Sequence, residues 1–204
     1  MGIFIVFEGG EGSGKSTQAR RLYRRLRRQS YPALLTHEPG GTAFGERVRR
    51  ILKKGVSVEP RTWLFLFSAA RTQLLEEVVR PALAHGEAVV CDRYVPSTIA
   101  YQGYGHGLNL EMVSMVTEAA TQGLRPDVVV LLDTPPDVGL KRRAERGRDR
   151  FEAEALEFHK RVREGYLKQA KEEPERWLVV DATLPRERVA EVIWQRVEPL
   201  LRAR

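Results

Sequence analysis

The stretch Gly9-Gly10-Glu11-Gly12-Ser13-Gly14-Lys15-Ser16-Thr17 decides the fold of this chain. It matches the pattern G-x-x-x-x-G-K-[ST] without a gap, between an apolar β-rich run at 3–7 and a helical pattern at 16–28. Glycines allow consecutive backbone N–H groups to surround phosphate oxygens, and a helix N-terminus adds partial positive charge. We therefore expect all the residues of this stretch to bind the phosphates of a nucleoside triphosphate. The alternative is a glycine-rich turn with an unrelated lysine.

Three side chains complete the predicted phosphate site. Lys15 supplies a mobile positive charge for the β- and γ-phosphates, and Ser16 offers a hydroxyl to Mg²⁺. Asp92 ends the apolar run at 88–91, where an acidic residue that organises Mg²⁺ is expected. We predict a Mg²⁺ site at Ser16 and Asp92; for Asp92 the alternative is an aspartate that only caps a turn.

Apolar runs alternate with helical patterns along the rest of the chain. Strands are predicted at 3–7, 31–36, 88–91, 128–132 and 177–180, and helices at 16–28, 44–54, 61–84, 109–122, 136–146, 152–171 and 186–201. Pro81 is expected to kink or shorten the helix in which it lies. Because this alternation implies parallel βαβ units, we predict one α/β domain over residues 1–204, with about five parallel strands covered by helices on both faces.

Composition indicates a soluble globular protein. The 204 residues are 42% hydrophobic, which is sufficient for one core, and the longest apolar runs are too short to span a bilayer. The single cysteine, Cys91, excludes an internal disulfide, and no leader is expected before the first strand, so we predict a cytoplasmic protein. The net charge of +7 permits nucleic acid as a partner. No aromatic-interleaved basic stripe accompanies it, so we expect neither a nucleic-acid nor a membrane partner.

Six sequence blocks narrow the class of P-loop protein. They are Phe7-Glu8-Gly9 through Thr17, His37-Glu38-Pro39-Gly40-Gly41-Thr42, Leu66-Phe67-Ser68-Ala69-Ala70-Arg71, Asp92-Arg93-Tyr94-x-x-Ser97-x-x-Ala100-Tyr101-Gln102, Leu131-Leu132-Asp133-Thr134-Pro135-Pro136 and Asp149-Arg150-Phe151-Glu152. In this order, from residue 3 to about 166, they resemble the thymidylate kinases. The resemblance implies a three-layer P-loop kinase fold, ATP-dependent phosphorylation of dTMP to dTDP with Mg²⁺, and a homodimer.

The resemblance also implies where the phosphate and sugar of the acceptor nucleotide bind. It assigns the acceptor phosphate to Arg49 and Arg93, and it makes Glu11 the acceptor of a hydrogen bond from the 3′-hydroxyl. For Arg93 the alternative is a structural ion pair. Arg47 and Arg50 are adjacent candidates for the role of Arg49, and a solvent-facing helix surface would explain all of these arginines.

Binding of the acceptor's base is assigned to a second group of residues. Phe67 and Arg71 lie four residues apart and share a helix face; by resemblance, Phe67 stacks on thymine and Arg71 donates a hydrogen bond to a base carbonyl. By the same resemblance, Thr98, Tyr101 and Gln102 lie near the base and the sugar, and Tyr101 crowds the sugar 2′ position. On its pattern alone, Phe67 is more typical of a core residue.

An arginine-rich segment at about 141–152 resembles the mobile lid of the family. The P-loop contains no arginine, whereas this segment contains Arg142, Arg143, Arg146, Arg148 and Arg150. This is similar to the bacterial members, in which the lid supplies positive charge to the transferring phosphoryl group, and a solvated charge run would explain most of these arginines. The predicted catalytic residues are Lys15, Arg93, Arg146 and Arg150.

Alternative functions stay open at this point. A kinase for another nucleotide or nucleoside, such as dCMP, AMP or a deoxynucleoside, would differ in the base pocket and not in the P-loop. A nucleic-acid-associated P-loop ATPase is suggested by the net charge alone. A GTP-dependent switch protein is disfavoured because the chain has no Asn-Lys-x-Asp motif. The adenine contacts are weakly marked, with 181–183 as the candidate wall.

Overall fold

Parallel strands form the centre of the structure, a computed structural model that describes residues 2–54, 58–145 and 156–203. The strands of this described part are β1 (Ile3–Glu8), β2 (Ala33–His37), β3 (Ala88–Asp92), β4 (Val128–Asp133) and β5 (Trp177–Asp181). They pair in the order β2-β3-β1-β4-β5, and each neighbouring pair is parallel. The central strands are almost wholly buried, as a parallel sheet covered on both faces requires.

Helices connect these strands and cover both faces of the sheet. They are α1 (Lys15–Arg28), α2 (Ala43–Lys53), α3 (Pro60–Leu74), α4 (Arg80–Ala84), α5 (Val95–Thr98), α6 (Leu110–Thr121), α7 (Pro136–Ala144), α8 (Leu156–Glu172) and α9 (Arg186–Arg202). A π-helical segment at Leu75–Val79 joins α3 to α4, and another at Ile99–Gly105 continues α5. Of the helices described, none combines the length and apolar character needed to cross a membrane.

The two faces of the sheet bury different sets of side chains. Side chains alternate along β1, so Ile5 and Phe7 pack towards α1 and α9, where Leu26 and Ile193 belong to the same cluster. Phe4 and Val6 lie on the opposite face, with side chains of α3 and its π-helical extension. Two helical layers around one sheet confirm the three-layer α/β fold predicted from the sequence.

The second strand begins later than the predicted residue 31. Helix α1 ends in a left-handed residue, Ser30, whose φ is 63°. The N–H groups of Ser30 and Tyr31 donate to the carbonyls of Arg27 and Leu26, at 3.2 Å and 3.1 Å. This double hydrogen bond is the Schellman ending of a helix, and it holds residue 31 in the turn rather than in the sheet.

Two helical regions also differ from the sequence prediction. Of the two predicted effects of Pro81, a kink or a shortened helix, the shortening does not occur: the helix continues to Ala84, and a π-helical turn with an Arg80 N–H to Leu75 C=O bond lies just before the proline. The helix that begins at Val95 and continues to Gly105 was not predicted. The predicted helix ends at 146 and 152 lie outside the described residues.

Candidate active site

The ends of three neighbouring strands bring the predicted functional residues to one edge of the sheet. The phosphate loop follows β1. Asp92 and Arg93 lie at the end of β3, and Asp133 ends β4, the strand between β1 and β5. In open parallel sheets, the crevice outside the carboxyl ends of the strands is where ligands bind. The candidate site therefore lies at this edge.

The phosphate loop has a backbone that requires its glycines. Gly9, Gly12 and Gly14 have φ angles of 141°, 66° and 94°, which residues with a side chain rarely adopt. Lys15 reaches back over the loop, and its Nζ donates to the carbonyl oxygens of Gly9 at 2.9 Å and Gly10 at 2.6 Å. The loop thus holds the ammonium group at its centre, next to the start of α1.

Burial changes the titration of this lysine. The Lys15 side chain is almost enclosed, and the loss of solvation, followed by the nearby charge of Arg93, lowers its pKa to about 8. The carboxylates of Glu11, Asp92 and Glu8 oppose this shift. A phosphate group bound in the loop would supply the negative charge that favours the protonated amine.

Ser16 and Asp92 suit a magnesium ion. The Ser16 hydroxyl donates directly to Oδ2 of Asp92, so the two side chains of the predicted metal site lie in contact. Within the described ranges, no group of three or more His, Cys, Asp or Glu residues is placed to hold a metal ion. Mg²⁺ is usually held by one or two protein oxygens, with phosphate and water oxygens completing its coordination, so the adjacent oxygens of Ser16 and Asp92 fit this ion.

Glu11 joins the loop to three other parts of the chain. Its Oε1 accepts hydrogen bonds from Arg93 Nη2 at 2.7 Å and from the Tyr101 hydroxyl at 2.8 Å, and its Oε2 contacts Arg143 Nη1 of α7. Burial would raise the pKa of Glu11, but Arg93, Lys15 and Arg143 outweigh it and hold the pKa well below its usual value. Glu11 is therefore an ionised carboxylate at neutral pH.

Arg93, predicted to bind phosphate, is held in an uncommon backbone conformation at the end of β3. Its backbone has a φ of 77°, an uncommon conformation for a residue with a side chain, which costs about 1–3 kcal/mol and clusters at functional sites. Its Nη1 donates to Ser97 Oγ at 3.0 Å and contacts the Tyr166 hydroxyl at 3.4 Å, and the guanidinium lies over the Tyr101 ring. The structure thus brings Arg93 and Glu11, two predicted site residues, together.

A buried ion pair lies at the predicted base site. Arg71 Nε donates to Glu38 Oε2 at 2.8 Å, and Arg71 Nη2 donates to Thr98 Oγ1 at 3.0 Å. The exposed fraction of the side chain is only 2% for Arg71 and 7% for Glu38. Among the described residues, Arg71 Nη1 and Glu38 Oε1 have no hydrogen-bonding partner. Buried polar groups without partners are rare and require an explanation, such as a ligand.

The other predicted acceptor residues lie around this pair. Phe67, one turn before Arg71 on α3, is half-buried and stacks on Trp63 with ring centroids 5.3 Å apart, so it is not a core residue. Gln102 is buried on the helical segment that also carries Thr98 and Tyr101.

Arg49 and its two neighbours on α2 differ in their surroundings. The guanidinium of Arg49 donates to the Pro39 carbonyl at 3.0 Å and contacts His37 Nδ1 at 3.4 Å. By contrast, Arg47 and Arg50 are exposed. Of the three arginines considered from the sequence, Arg49 is therefore the one held against the loop that follows β2.

A cavity of about 470 Å³ lies beside the phosphate loop. Its walls include Gly12, Thr17, Arg142, Ala182 and Leu184, so the segment predicted as an adenine wall contributes Ala182. Arg142 Nη1 donates to the Ala182 carbonyl at 2.9 Å across the cavity rim. The predicted catalytic residues Arg146 and Arg150 lie outside the described residues.

Comparison with known proteins identifies the family. The thymidylate kinase family model matches residues 7–193. The chain belongs to the thymidylate kinase family. A thymidylate kinase of Deinococcus radiodurans is 50% identical over 199 residues, which is 97% of each chain. Another, from Dehalococcoides mccartyi, is 47% identical and spans 100% of this chain and 99% of the relative. The crystal structure of thymidylate kinase from Ehrlichia chaffeensis has a TM-score of 0.80 at 31% identity, covering 97% and 98% of the two chains.

Family membership confirms the resemblance drawn from the six sequence blocks. It also confirms the kinase class, and it disfavours the nucleic-acid-associated ATPase and a kinase for a different acceptor.

Several residues of the site were not selected from the sequence. Glu38, Tyr166 and Arg143 each contact a selected residue, and Glu8 accepts hydrogen bonds from the backbone next to Arg93 and from the hydroxyl of Tyr166. Glu8 ends an apolar run, where a carboxylate is costly unless it is paired. Its position in the sequence could therefore have marked it as a candidate site residue. Tyr166 gave no signal, because its partners come from elements far away in the sequence.

Proposed function

We propose that this chain transfers the γ-phosphoryl group of ATP to dTMP, giving ADP and dTDP. Family membership supports the reaction, and the observation that carries it is the convergence on Glu11. Groups from the end of β3, the π-helical segment after α5 and helix α7 all contact this residue of the phosphate loop. A kinase for two nucleotides needs such a point, at which donor and acceptor sites touch.

In this reaction, an oxygen of the dTMP phosphate forms a bond to the γ-phosphorus as the bond to the β–γ bridging oxygen breaks. Lys15 holds the β- and γ-phosphates, and Arg93 bridges the donor and acceptor phosphates as negative charge shifts between them. Arg49 binds the acceptor phosphate. Ser16 and Asp92 would hold Mg²⁺, which would neutralise charge on the phosphate oxygens.

The acceptor base lies beside the buried pair of Arg71 and Glu38. Thymine presents carbonyl oxygens as hydrogen-bond acceptors, and Arg71 Nη1 is a buried donor without a partner among the described residues. Phe67 stacks on the ring, and Thr98 and Gln102 lie near the base and the sugar. Tyr101 crowds the sugar 2′ position, and Glu11 accepts the 3′-hydroxyl hydrogen bond.

The donor adenosine occupies the cavity between the phosphate loop and the segment after β5. Gly12, Thr17 and Ala182 line it, and Arg142 forms its rim. We keep the prediction that residues 1–204 form one domain with a lid at about 141–152. Within that lid, Arg146 and Arg150 stay predicted catalytic residues.

We also propose a homodimer, as the resemblance implies. Helix α3 packs against α2 and against α6, and all three helices carry exposed large hydrophobic side chains. These side chains are Phe44, Ile51, Phe65, Leu110 and Met115. Light scattering should give the mass of a dimer for the wild type and of a monomer for Phe65→Asp. A monomeric wild type at micromolar concentration would contradict the proposal.

An assay of ADP release tests the proposed reaction. With ATP and Mg²⁺, dTMP should be turned over best, dUMP less well, and AMP, CMP and GMP near the background without acceptor. Removal of Mg²⁺ with excess EDTA should abolish the signal. Equal turnover of AMP and dTMP would refute the assignment of the acceptor.

A further inference from the structure

Glu8 is a charged group for which the reaction described above has no role. It ends β1 and its side chain has no exposed surface. It pairs in register with Leu131 and lies on the same sheet face as Phe4 and Val6, which belong to the apolar core. A carboxylate at such a position is costly unless donors surround it.

Four donors occupy the acceptor positions of this carboxylate. Its Oε1 accepts from the backbone N–H groups of Tyr94 at 2.8 Å and Ser97 at 3.2 Å. Its Oε2 accepts from the hydroxyl of Ser97 at 2.6 Å and from that of Tyr166 at 2.9 Å. Since an ionised carboxylate offers about four lone-pair positions, Glu8 is fully satisfied. Burial raises the pKa of Glu8, and the charge of Arg93 and these hydrogen bonds oppose that rise.

The two backbone bonds fix the chain just after Arg93. Tyr94 is the N-cap residue of α5, and its own side chain does not cap the helix. Glu8 replaces that cap from the neighbouring strand, because it binds the N–H groups of Tyr94 and Ser97. The turn that it holds contains Arg93 in its left-handed conformation.

The two hydroxyl bonds orient the guanidinium of Arg93. Both hydroxyl groups that donate to Glu8 also lie within reach of Arg93 Nη1, at 3.0 Å for Ser97 and 3.4 Å for Tyr166. A hydroxyl whose proton points at Glu8 turns its lone pairs towards the other side, where Nη1 needs acceptors. Glu8 thus controls the direction of two groups that hold Arg93.

We propose that Glu8 is a positioning residue for phosphoryl transfer, acting on Arg93 through its cap on α5 and through Ser97 and Tyr166. Glu8 holds Arg93 Nη1 through the hydroxyl groups of Ser97 and Tyr166. On the other side, Glu11 and the Tyr101 hydroxyl accept from Arg93 Nη2. The proposal rests on the proposed function, in which Arg93 contacts the phosphates. Glu8 itself touches no substrate, so its effect falls on the rate of transfer and not on the binding of ATP.

The variant Glu8→Gln tests this role with the least change of shape. The amide nitrogen of the new side chain cannot accept the hydrogen bonds that the carboxylate oxygen accepts. Ser97 and Tyr166 are then no longer held in place, so Arg93 loses its fixed partners. Since misplacement of a catalytic group by about 1 Å can cost about 10²-fold, kcat should fall by about 10- to 100-fold. The KM for ATP should stay within about twofold, and the control Glu198→Gln, whose ion pair with Arg202 lies on α9, should match the wild type.

A double-mutant cycle separates positioning from general loss of structure. In an Arg93→Ala background, Glu8→Gln should have little further effect on kcat, because the residue that it positions is gone. An equal loss of kcat with and without Arg93 would overturn the proposal, as would wild-type kcat in Glu8→Gln. Full activity of Arg93→Ala alone would instead refute the role of Arg93 in the proposed function.

Milder variants cover the case in which Glu8→Gln does not fold. Ser97→Ala and Tyr166→Phe each keep Glu8 and remove one hydroxyl between it and Arg93. Each should lower kcat several-fold with the KM for ATP unchanged, and their joint effect should vanish in the Arg93→Ala background. Unchanged kcat in both folded variants would contradict a positioning network.

Discussion

The proposed acceptor and donor halves of the site are built by different means. The acceptor half is assembled from buried side chains: the Arg71–Glu38 pair is almost fully enclosed and is bonded to Thr98. The donor half is a loop of glycines beside an open cavity, and its walls include backbone at Gly12 and Ala182. One half therefore presents preset side-chain groups, while the other presents backbone and the ammonium group of Lys15.

This difference assigns selectivity to the acceptor half. A pocket that contains buried polar groups rejects a ligand that leaves them unpaired, often by large factors. Backbone N–H groups and Lys15 bind phosphates, which all nucleoside triphosphates share. Substitutions in the donor half should consequently change activity without changing stability, while those in the acceptor half should change both.

The largest effect is expected for Lys15→Ala in the donor half. Loss of the charge that holds the β- and γ-phosphates should lower kcat by about 10³-fold. The midpoint of thermal unfolding should stay within a few degrees of the wild type, because within the described part of the chain the ammonium group donates hydrogen bonds to loop carbonyls and Ser13. Lys160→Ala on the surface of α8 is the matched control; retained activity in a folded Lys15→Ala would refute the role.

Arg71→Ala should combine a loss of stability with a loss of acceptor binding. The substitution leaves the buried Glu38 carboxylate without its partner, which typically costs about 3–5 kcal/mol in the free energy of unfolding. Urea denaturation measures this cost, and the exposed Arg202→Ala, whose pair with Glu198 lies on the surface, should cost about 1 kcal/mol or less. The KM for dTMP should rise more than that for ATP, and the reverse ranking would remove Arg71 from the acceptor half.

The titration of Lys15 in the donor half should give kcat/KM for ATP a pH dependence with tenfold changes. Burial lowers the pKa of Lys15 from 10.5 to about 8, so the value of kcat/KM for ATP should fall about tenfold per pH unit above about pH 8. The stability contribution of Lys15 has the opposite sign. Between pH 8 and 10.5 the unfolded chain binds more protons, so this contribution increases as pH rises. A flat profile of kcat/KM from pH 7 to 9.5 would contradict the shift.

The smallest effects are expected for two adjacent arginines of α7. Arg143 contacts Glu11, whereas Arg142 contacts the Ala182 carbonyl beside the donor cavity. Arg143→Ala should therefore lower kcat by about tenfold, since Glu11 loses a partner at the meeting point of the two halves. Arg142→Ala should raise the KM for ATP about threefold with little change in kcat. Indistinguishable kinetics of the two variants would place both on one side of the site.

The donor half was readable from the sequence because its geometry is local. The spacing of Gly9, Gly14 and Lys15 prescribes the loop by itself, and apolar runs prescribe the strands around it. The acceptor half depends on contacts between distant segments, such as Arg71 with Glu38 and Glu8 with Tyr166. Patterns of periodicity contain no information on such pairs. The helix after Arg93 was missed for a related reason: its cap is Glu8, on another strand.

The most direct test of selection by the acceptor half is the ratio of kcat/KM for dTMP to that for dCMP. At position 4 thymine presents a carbonyl and cytosine an amino group, so a donor such as Arg71 favours thymine. This ratio does not depend on the fraction of folded enzyme, because both substrates meet the same sample. We predict a high ratio for the wild type that falls at least tenfold in Arg71→Met. An unchanged ratio in Arg71→Met would contradict it.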